Sequence, residues 1–136
     1  GSIYGLSRGS TAAHIARAAL EGIAFQTMDI VNAMQKDAGV TLKELKVDGG
    51  ASRNNLLMQF QADVLGTSVI RPTVTETTAL GAAYLAGLAV GYWESIDHIK
   101  KQWGVEKEFQ PSADAETVAA LKDGWNDAIR RTLTGK

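Results

Sequence analysis

The sequence predicts an α/β fold with a small sheet and flanking helices. Short apolar stretches alternate with longer segments in which apolar residues recur at helical spacing. Glycines and helix-capping residues separate these segments. The chain has 136 residues, of which 45% are hydrophobic and 21% are charged, and this composition is typical of one compact domain and not of a disordered chain.

The first two predicted elements are a short strand and a long helix. Residues 3–7 are apolar enough for a strand, and Ser10 or Thr11 suits the N-cap of the helix that follows. Apolar residues recur over about 12–38 on so broad a face that we expect most of this helix to be buried. Gly39 is a natural residue to end it.

The centre of the chain repeats this order. Residues 44–48 predict a second strand, which Gly49 and Gly50 interrupt. A helix is expected over about 53–65, and a third short strand at residues 69–70 follows it. The alternation predicts parallel strands joined by crossover helices, in a sheet of about three strands that leaves an edge unpaired.

The last third predicts helices over about 78–91, 94–103 and 114–133, with a loop carrying Phe109 and Pro111 between the last two. Thr77 or Thr78 suits the first N-cap. The uncharged run 77–93 is nearly long enough to span a membrane, but it is rich in Gly, Ala and Thr, so a buried helix is favoured. Trp125, with Ile129 and Leu133, is expected to anchor the core.

The composition excludes several functions. Lys and Arg total 14 against 15 Asp and Glu, so nothing indicates a nucleic-acid-binding surface. The absence of cysteine excludes disulfides and thiolate metal sites and fits a reducing cytoplasm, and no signal peptide is visible. His14 and His98 have no partner at metal-ligand spacing, so both are expected to be structural or surface residues, with no metal site.

The strongest candidate site is the segment Asp48–Asn55, called here the Gly-Gly turn. It follows a predicted strand and leads into a helix, where α/β sheets bind ligands. Gly49 and Gly50 allow a ligand to approach the backbone, free N–H groups at a helix start favour phosphate, and Asn54 and Asn55 suit a base or ribose. An ordinary strand-to-helix turn is the alternative. The segment is neither a Walker A loop nor a dinucleotide fingerprint.

A second glycine-rich segment, Gly81–Gly87 with Gly91, lies in a predicted helix. Glycine costs a helix about 1 kcal/mol relative to Ala, so a backbone or a ligand is expected to approach closely there. Tight packing between helices is the favoured interpretation.

Four stretches resemble the C-terminal domain of the FGGY carbohydrate kinases. They are Gly1–Leu6 with His14–Glu21, Val47–Asn55, Gln59–Thr67 and Glu76–Gly87. The phrases Leu57–Gln61 and Ala86–Trp93 are typical of the members that phosphorylate glycerol. The resemblance covers nearly the whole chain.

The resemblance implies a fold of the actin, sugar kinase and chaperone type, in which two ribonuclease-H-like domains flank an ATP cleft. Residues 1–136 would be the latter part of the second domain, a partial adenosine-side lobe with the last three of five strands. Gly50 would approach the nucleotide with its backbone, and Asn54 would contact the adenosine. Asp48, Gly49 and Ala51 would add contacts, and the helix around Gly81 would pack against the same turn.

The resemblance also implies that the reactive residues lie elsewhere. The acceptor-binding residues, the catalytic Asp base and the phosphate-binding loops have no counterpart here and would lie upstream of Gly1. The full-length enzyme would use ATP, Mg²⁺ and glycerol and would be a cytoplasmic homo-oligomer. The isolated chain is expected to be inactive, with no catalytic or metal residue. Two alternatives stay open: a different sugar or polyol acceptor, and a non-catalytic assembly module with an open sheet edge.

Overall fold

The computed structural model describes residues 1–133, which form a three-stranded sheet with helices around it. The elements are α1 (Ala12–Ala38), β1 (Glu44–Lys46), a short 3-10 turn (Gly50–Arg53), α2 (Asn55–Leu65), β2 (Ser68–Pro72), α3 (Thr77–Ala89), α4 (Ile96–Lys100), β3 (Val105–Phe109) and α5 (Ala115–Thr132). The predicted α/β class is therefore confirmed, and so is the number of strands.

The sheet has the order β1-β2-β3. β1 pairs with β2 in parallel, with Leu45 opposite Val69, and β2 pairs with β3 antiparallel, with Val69 opposite Phe109. Three predictions are wrong here. The sheet is mixed and not all parallel, because β3 runs antiparallel to β2. Residues 3–7 are irregular and exposed, and the loop that carries Phe109 is the third strand.

The physical reason is the composition of β3. Its sequence, Val-Glu-Lys-Glu-Phe, is mostly charged, and only Phe109 is buried. A strand at a sheet edge is held by backbone pairing to its neighbour. Its side chains therefore need not alternate between apolar and polar residues. Residues 3–7 have the apolar character of a strand, but the described residues offer them no partner strand.

The ends of α1 and α2 follow from local capping. Thr11 is the N-cap of α1, and its backbone N–H donates to Nδ1 of His14 at 3.1 Å, so this histidine is structural as predicted. Gly39 and Gly66 end α1 and α2 in the left-handed conformation. The N-cap of α3 is Glu76, so the predicted threonine cap is wrong.

The core lies where α1, α2 and α5 meet the sheet. Phe25 of α1 contacts Phe60 edge-on, with 5.3 Å between ring centroids, and stacks on Trp125 at 5.2 Å. Nε1 of Trp125 donates to Asp29 at 2.9 Å. Trp125 therefore packs against the core as predicted and joins α5 to α1, whereas Ile129 and Leu133 are exposed and do not belong to this anchor.

Two helices are less buried than predicted. Only Ala24, Phe25 and Met28 of α1 are buried, and Ile30 and Met34 are 61% and 64% exposed. In α3 only Gly87 is buried. Three strands and the packed helices cover one stripe of α1 and little of α3. Within residues 1–133, no helix combines the length and the apolar character needed to cross a membrane.

Candidate functional site

The Gly-Gly turn lies at the carboxyl end of β1, beside the carboxyl end of the parallel strand β2. The N–H of Val47 still donates to the Ile70 carbonyl at 3.0 Å, and the chain then leaves the sheet. The 3-10 turn and α2 follow directly. In open α/β sheets, ligands bind outside the carboxyl ends of the strands, which is where this turn lies.

Gly49 gives the turn its shape. Its φ of 75° and ψ of 176° belong to a backbone region that is open essentially to glycine alone. Its N–H donates to the Thr75 carbonyl at 2.7 Å, which ties the turn to the segment after β2. Its carbonyl accepts from the N–H of Ser52 at 3.2 Å and from the hydroxyl of Ser52 at 2.7 Å.

Gly50 presents an open backbone. It begins the 3-10 turn and is exposed, and a Cβ placed on it would meet no atom within 4 Å. Ala51 beside it is also exposed. Packing within this chain therefore does not require a glycine at position 50. The missing side chain leaves room for another molecule against the backbone.

Asn54 is the N-cap of α2, and its Oδ1 accepts from the N–H of Leu57 at 3.1 Å. The interpretation of Asn54 as a helix starter therefore agrees with the geometry. Within residues 1–133, its Nδ2 amide makes no hydrogen bond. An asparagine amide has two N–H donors, so Asn54 can cap α2 and donate to a ligand at the same time.

An ion pair between buried Arg71 and half-exposed Glu106 supports the turn from the sheet side. Arg71 of β2 is 6% exposed, and its Nη1 donates to the Ser52 carbonyl at 2.7 Å and to Oδ1 of Asn55 at 2.9 Å. Nε and Nη2 of Arg71 donate to the two carboxylate oxygens of Glu106 on β3. The hydrogen bond and the positive charge of Arg71 lower the pKa of Glu106 below its ordinary value.

The segment after β2 also contacts the turn. The hydroxyl of Thr77 donates to the carboxylate of Asp48, and Nη2 of Arg53 lies 3.5 Å from Oγ1 of Thr75. The five residues proposed for the site, Asp48, Gly49, Gly50, Ala51 and Asn54, thus lie together on one braced turn.

The glycines of α3 have another role than packing against this turn. A Cβ on Gly81 would meet no atom within 4 Å, so Gly81 itself makes no close contact with the turn, although Thr77 of the same helix bonds to Asp48. A Cβ on Gly87 would lie 2.1 Å from the ring of Trp93. The close approach predicted for this segment is therefore made at Gly87 by an aromatic side chain that follows the helix.

A groove of about 730 Å³ lies elsewhere, between the N-terminal segment, α1 and α5. Its walls include Ile15 and Ile23, which are exposed, and Leu121, which is partly buried against the core. The Gly-Gly turn instead combines an open backbone, an amide donor and the ends of two parallel strands. We therefore place the candidate site at the turn.

The sequence indicated no role at this site for Arg71, Thr75 or Thr77. An arginine inside a short apolar strand, between Ile70 and Pro72, is the one signal that was present. A charged residue in a buried strand needs a partner, and the partner here lies on the strand that the sequence did not reveal.

Comparison with known proteins gives a consistent result. Residues 1–90 match the C-terminal domain of the FGGY family of carbohydrate kinases. The chain is 62% identical over 131 residues to a glycerol kinase of Nitratidesulfovibrio vulgaris and 58% identical over 130 residues to one of Burkholderia pseudomallei. Each match covers 96% of this chain and 26% of the relative, so the chain spans about a quarter of these relatives.

Solved structures agree with the sequences. The chain resembles Plasmodium falciparum glycerol kinase with ADP, with a TM-score of 0.86 and 39% identity, over 99% of this chain and 27% of that one. It also resembles the xylulose kinase of Rhodospirillum rubrum, with a TM-score of 0.73 and 28% identity, over 95% of this chain and 26% of the other. The neighbours are thus sugar and polyol kinases that share this fold.

Proposed function

Because the chain belongs to the FGGY family of carbohydrate kinases, we propose that it is the adenosine-side lobe of an ATP-dependent glycerol kinase. The parent enzyme would transfer the γ-phosphate of ATP to glycerol and release glycerol 3-phosphate. Residues 1–136 would form part of its C-terminal domain. Identities of 55–62% to glycerol kinases over nearly the whole chain favour glycerol as the acceptor.

The observation that carries the proposal is the open backbone at Gly50. It lies on a turn at the ends of two parallel strands, and no neighbour in this chain needs the space beside it. One similar structure is a glycerol kinase with ADP, which supports a nucleotide as the occupant. A nucleoside fits this site because its base is flat and its ribose and base edges accept hydrogen bonds.

Each proposed residue has a role in binding. The backbone of Gly50 lies against the adenosine, and the Nδ2 amide of Asn54 donates to it. Asp48, Gly49 and Ala51 border the same surface. ATP supplies the phosphoryl group when it is bound, and these residues orient the nucleotide. Binding and orientation account for much of phosphoryl-transfer catalysis, which also needs a cation and an aligned acceptor.

The remaining parts of the reaction belong to the rest of the parent enzyme. We propose that the acceptor site, the base and the groups that hold the phosphates and Mg²⁺ lie outside this chain. The isolated chain is then expected to form no glycerol 3-phosphate. Measurable glycerol 3-phosphate from the purified chain would contradict the proposal that these groups lie outside it.

The test of the function is a kinase assay on the full-length protein. With ATP and Mg²⁺, we expect glycerol to be phosphorylated in preference to xylulose, for which the similar kinase of Rhodospirillum rubrum is named, and to other sugars and polyols. If the enzyme prefers another acceptor, the proposed ATP-binding role stands and the proposed substrate is wrong. Failure to phosphorylate any member of the panel would overturn the proposed function.

A second candidate is an assembly module, and exposed apolar residues favour it. Leu85 is 71% exposed, Val90 81% and Tyr92 76%, and within the described residues β1 has an unpaired edge. Light scattering and ATP calorimetry on the isolated chain separate the two candidates. An oligomer that does not bind nucleotide would support assembly, whereas a monomer with weak adenosine affinity would support the lobe.

We also propose that the full-length enzyme is a homo-oligomer in the cytoplasm. The resemblance to the family supports the oligomer, and the absence of cysteine fits a reducing compartment. Light scattering and cell fractionation test the two statements separately.

A further inference from the structure

We propose that Arg71, held by Glu106, is a positioning residue for ATP binding, because it fixes the Gly-Gly turn on which the nucleotide would rest. The inference rests on the proposed function. Arg71 does not border the open surface at Gly50, since its side chain is buried behind the turn. It would therefore act on the nucleotide only through the backbone that it holds.

The guanidinium joins three parts of the molecule. Nη1 donates to the carbonyl of Ser52 at 2.7 Å, inside the 3-10 turn, and to Oδ1 of Asn55 at 2.9 Å, at the start of α2. Nε and Nη2 donate to Glu106 on β3. These bonds link the last strand to the residues on both sides of Asn54.

The geometry requires an arginine. The guanidinium is a planar fork with five N–H donors, and here its nitrogens are directed at two carboxylate oxygens and at two oxygens of the turn. A lysine ammonium is a point charge and cannot span these positions together. Arg71→Lys therefore keeps the charge beside Glu106 and loses bonds to the turn.

Glu106 sets the direction of the guanidinium. Its carboxylate engages Arg71 through both oxygens, although its own side chain is 48% exposed. The ring of Phe109 lies under the guanidinium, with 5.3 Å between the ring centroid and Cζ. Arg71 thus has one orientation, and the positions of Ser52 and Asn55 follow from it. Position matters here because small misplacement of a bound substrate is costly to catalysis.

The experiment uses the full-length kinase and measures kcat and the KM values for ATP and glycerol. For Arg71→Lys we expect the KM for ATP to rise about tenfold, which matches the low end for the loss of one hydrogen bond to a charged group. The KM for glycerol should stay within about twofold of the wild-type value, since the turn does not contact the acceptor. Glu106→Gln should raise the KM for ATP about threefold.

The matched control is Gln61→Leu. Gln61 is buried, and its Nε2 donates to the Ala24 carbonyl at 3.2 Å, which joins α2 to α1 away from the turn. This variant loses a buried hydrogen bond, as Arg71→Lys does, and is expected to lower stability without changing the KM for ATP.

The outcomes separate the inference from the proposed function. No glycerol phosphorylation by the wild type would overturn both. With an active wild type, an unchanged KM for ATP in Arg71→Lys would overturn the inference alone, as would equal changes in both KM values or the same change in Gln61→Leu. If Arg71→Lys does not fold, Glu106→Gln decides by the same criteria.

Discussion

Gly49 and Gly50 are adjacent glycines with different reasons to be glycine. Gly49 has a backbone conformation that an L side chain rarely adopts, with φ of 75°. Gly50 has no such φ and faces open space. The first is required by the fold and the second is available to a ligand.

This difference predicts opposite results for two substitutions in the full-length enzyme. Gly49→Ala should destabilise the protein by about 1–3 kcal/mol because of backbone strain, seen as a lower melting temperature. Gly50→Val should leave the melting temperature nearly unchanged and raise the KM for ATP, because its side chain would occupy the space proposed for adenosine. A Gly50→Val enzyme with normal KM for ATP would place the nucleotide elsewhere.

Asn54 permits a similar separation. Asn54→Asp keeps an oxygen that accepts from Leu57 and removes the Nδ2 donor, so stability should hold while the KM for ATP rises. Asn54→Ala should also lose about 1 kcal/mol of stability with the cap. Kinetics and thermal melts on both variants check this. An Asn54→Asp enzyme with an unchanged KM for ATP would leave the amide without a role in binding.

Glu106 predicts the pH dependence of stability. Its pKa is lowered in the folded protein, first by the hydrogen bond from Arg71, so its carboxylate stabilises the fold fully above the ordinary glutamate pKa. That contribution is lost as the pH falls toward the lowered pKa. In urea unfolding at pH 7 and in the acid range, Glu106→Gln should therefore lose less stability on acidification than the wild type. Parallel losses would contradict this.

At the scale of elements, helices were predictable and the third strand was not. Capping residues and apolar spacing determine where α1 begins, after Thr11, and where it ends, before Gly39. Both signals can be recognised in the sequence. β3 depends on backbone pairing with β2 across more than thirty residues of chain, and its charged side chains carry no periodic signal. Residues 3–7 show the opposite case. Their side chains are typical of a strand, but a strand forms only where a neighbouring strand pairs with it.

The packing of α5 on α1 gives an element-scale prediction. Trp125→Ala removes the stacking on Phe25 and should cost roughly 2–4 kcal/mol of stability, toward the low side of Trp-to-Ala losses because the ring is partly exposed. Trp125→Phe keeps a ring and loses the bond to Asp29, for about 1 kcal/mol. Urea denaturation of the full-length protein measures both. Equal losses would show that stacking is not what holds α5.

The candidate site was predictable in part. Gly50 and Asn54 stand in a motif after a strand, and their roles follow from resemblance to the family and not from spacing alone. Arg71 could not be assigned, because its place in a short apolar strand indicates that it needs a partner but does not identify the partner. Only the fold brings it to Ser52 and Glu106.

At the scale of the whole molecule, the described residues leave apolar surface uncovered on α1 and α3, including Ile30, Met34 and Leu85. The chain spans about a quarter of its relatives, and the Gly-Gly turn is proposed as one wall of a ligand site. We therefore propose that this chain binds the adenosine of ATP and that the rest of the enzyme supplies the other parts of the reaction.

The most direct test of this account is a crystal structure of the full-length protein with ADP. We expect the adenosine to lie against the backbone of Gly50, with the Nδ2 amide of Asn54 within hydrogen-bond distance and Arg71 still bonded to Ser52 behind the turn. A nucleotide bound without contact to the Gly-Gly turn would contradict it.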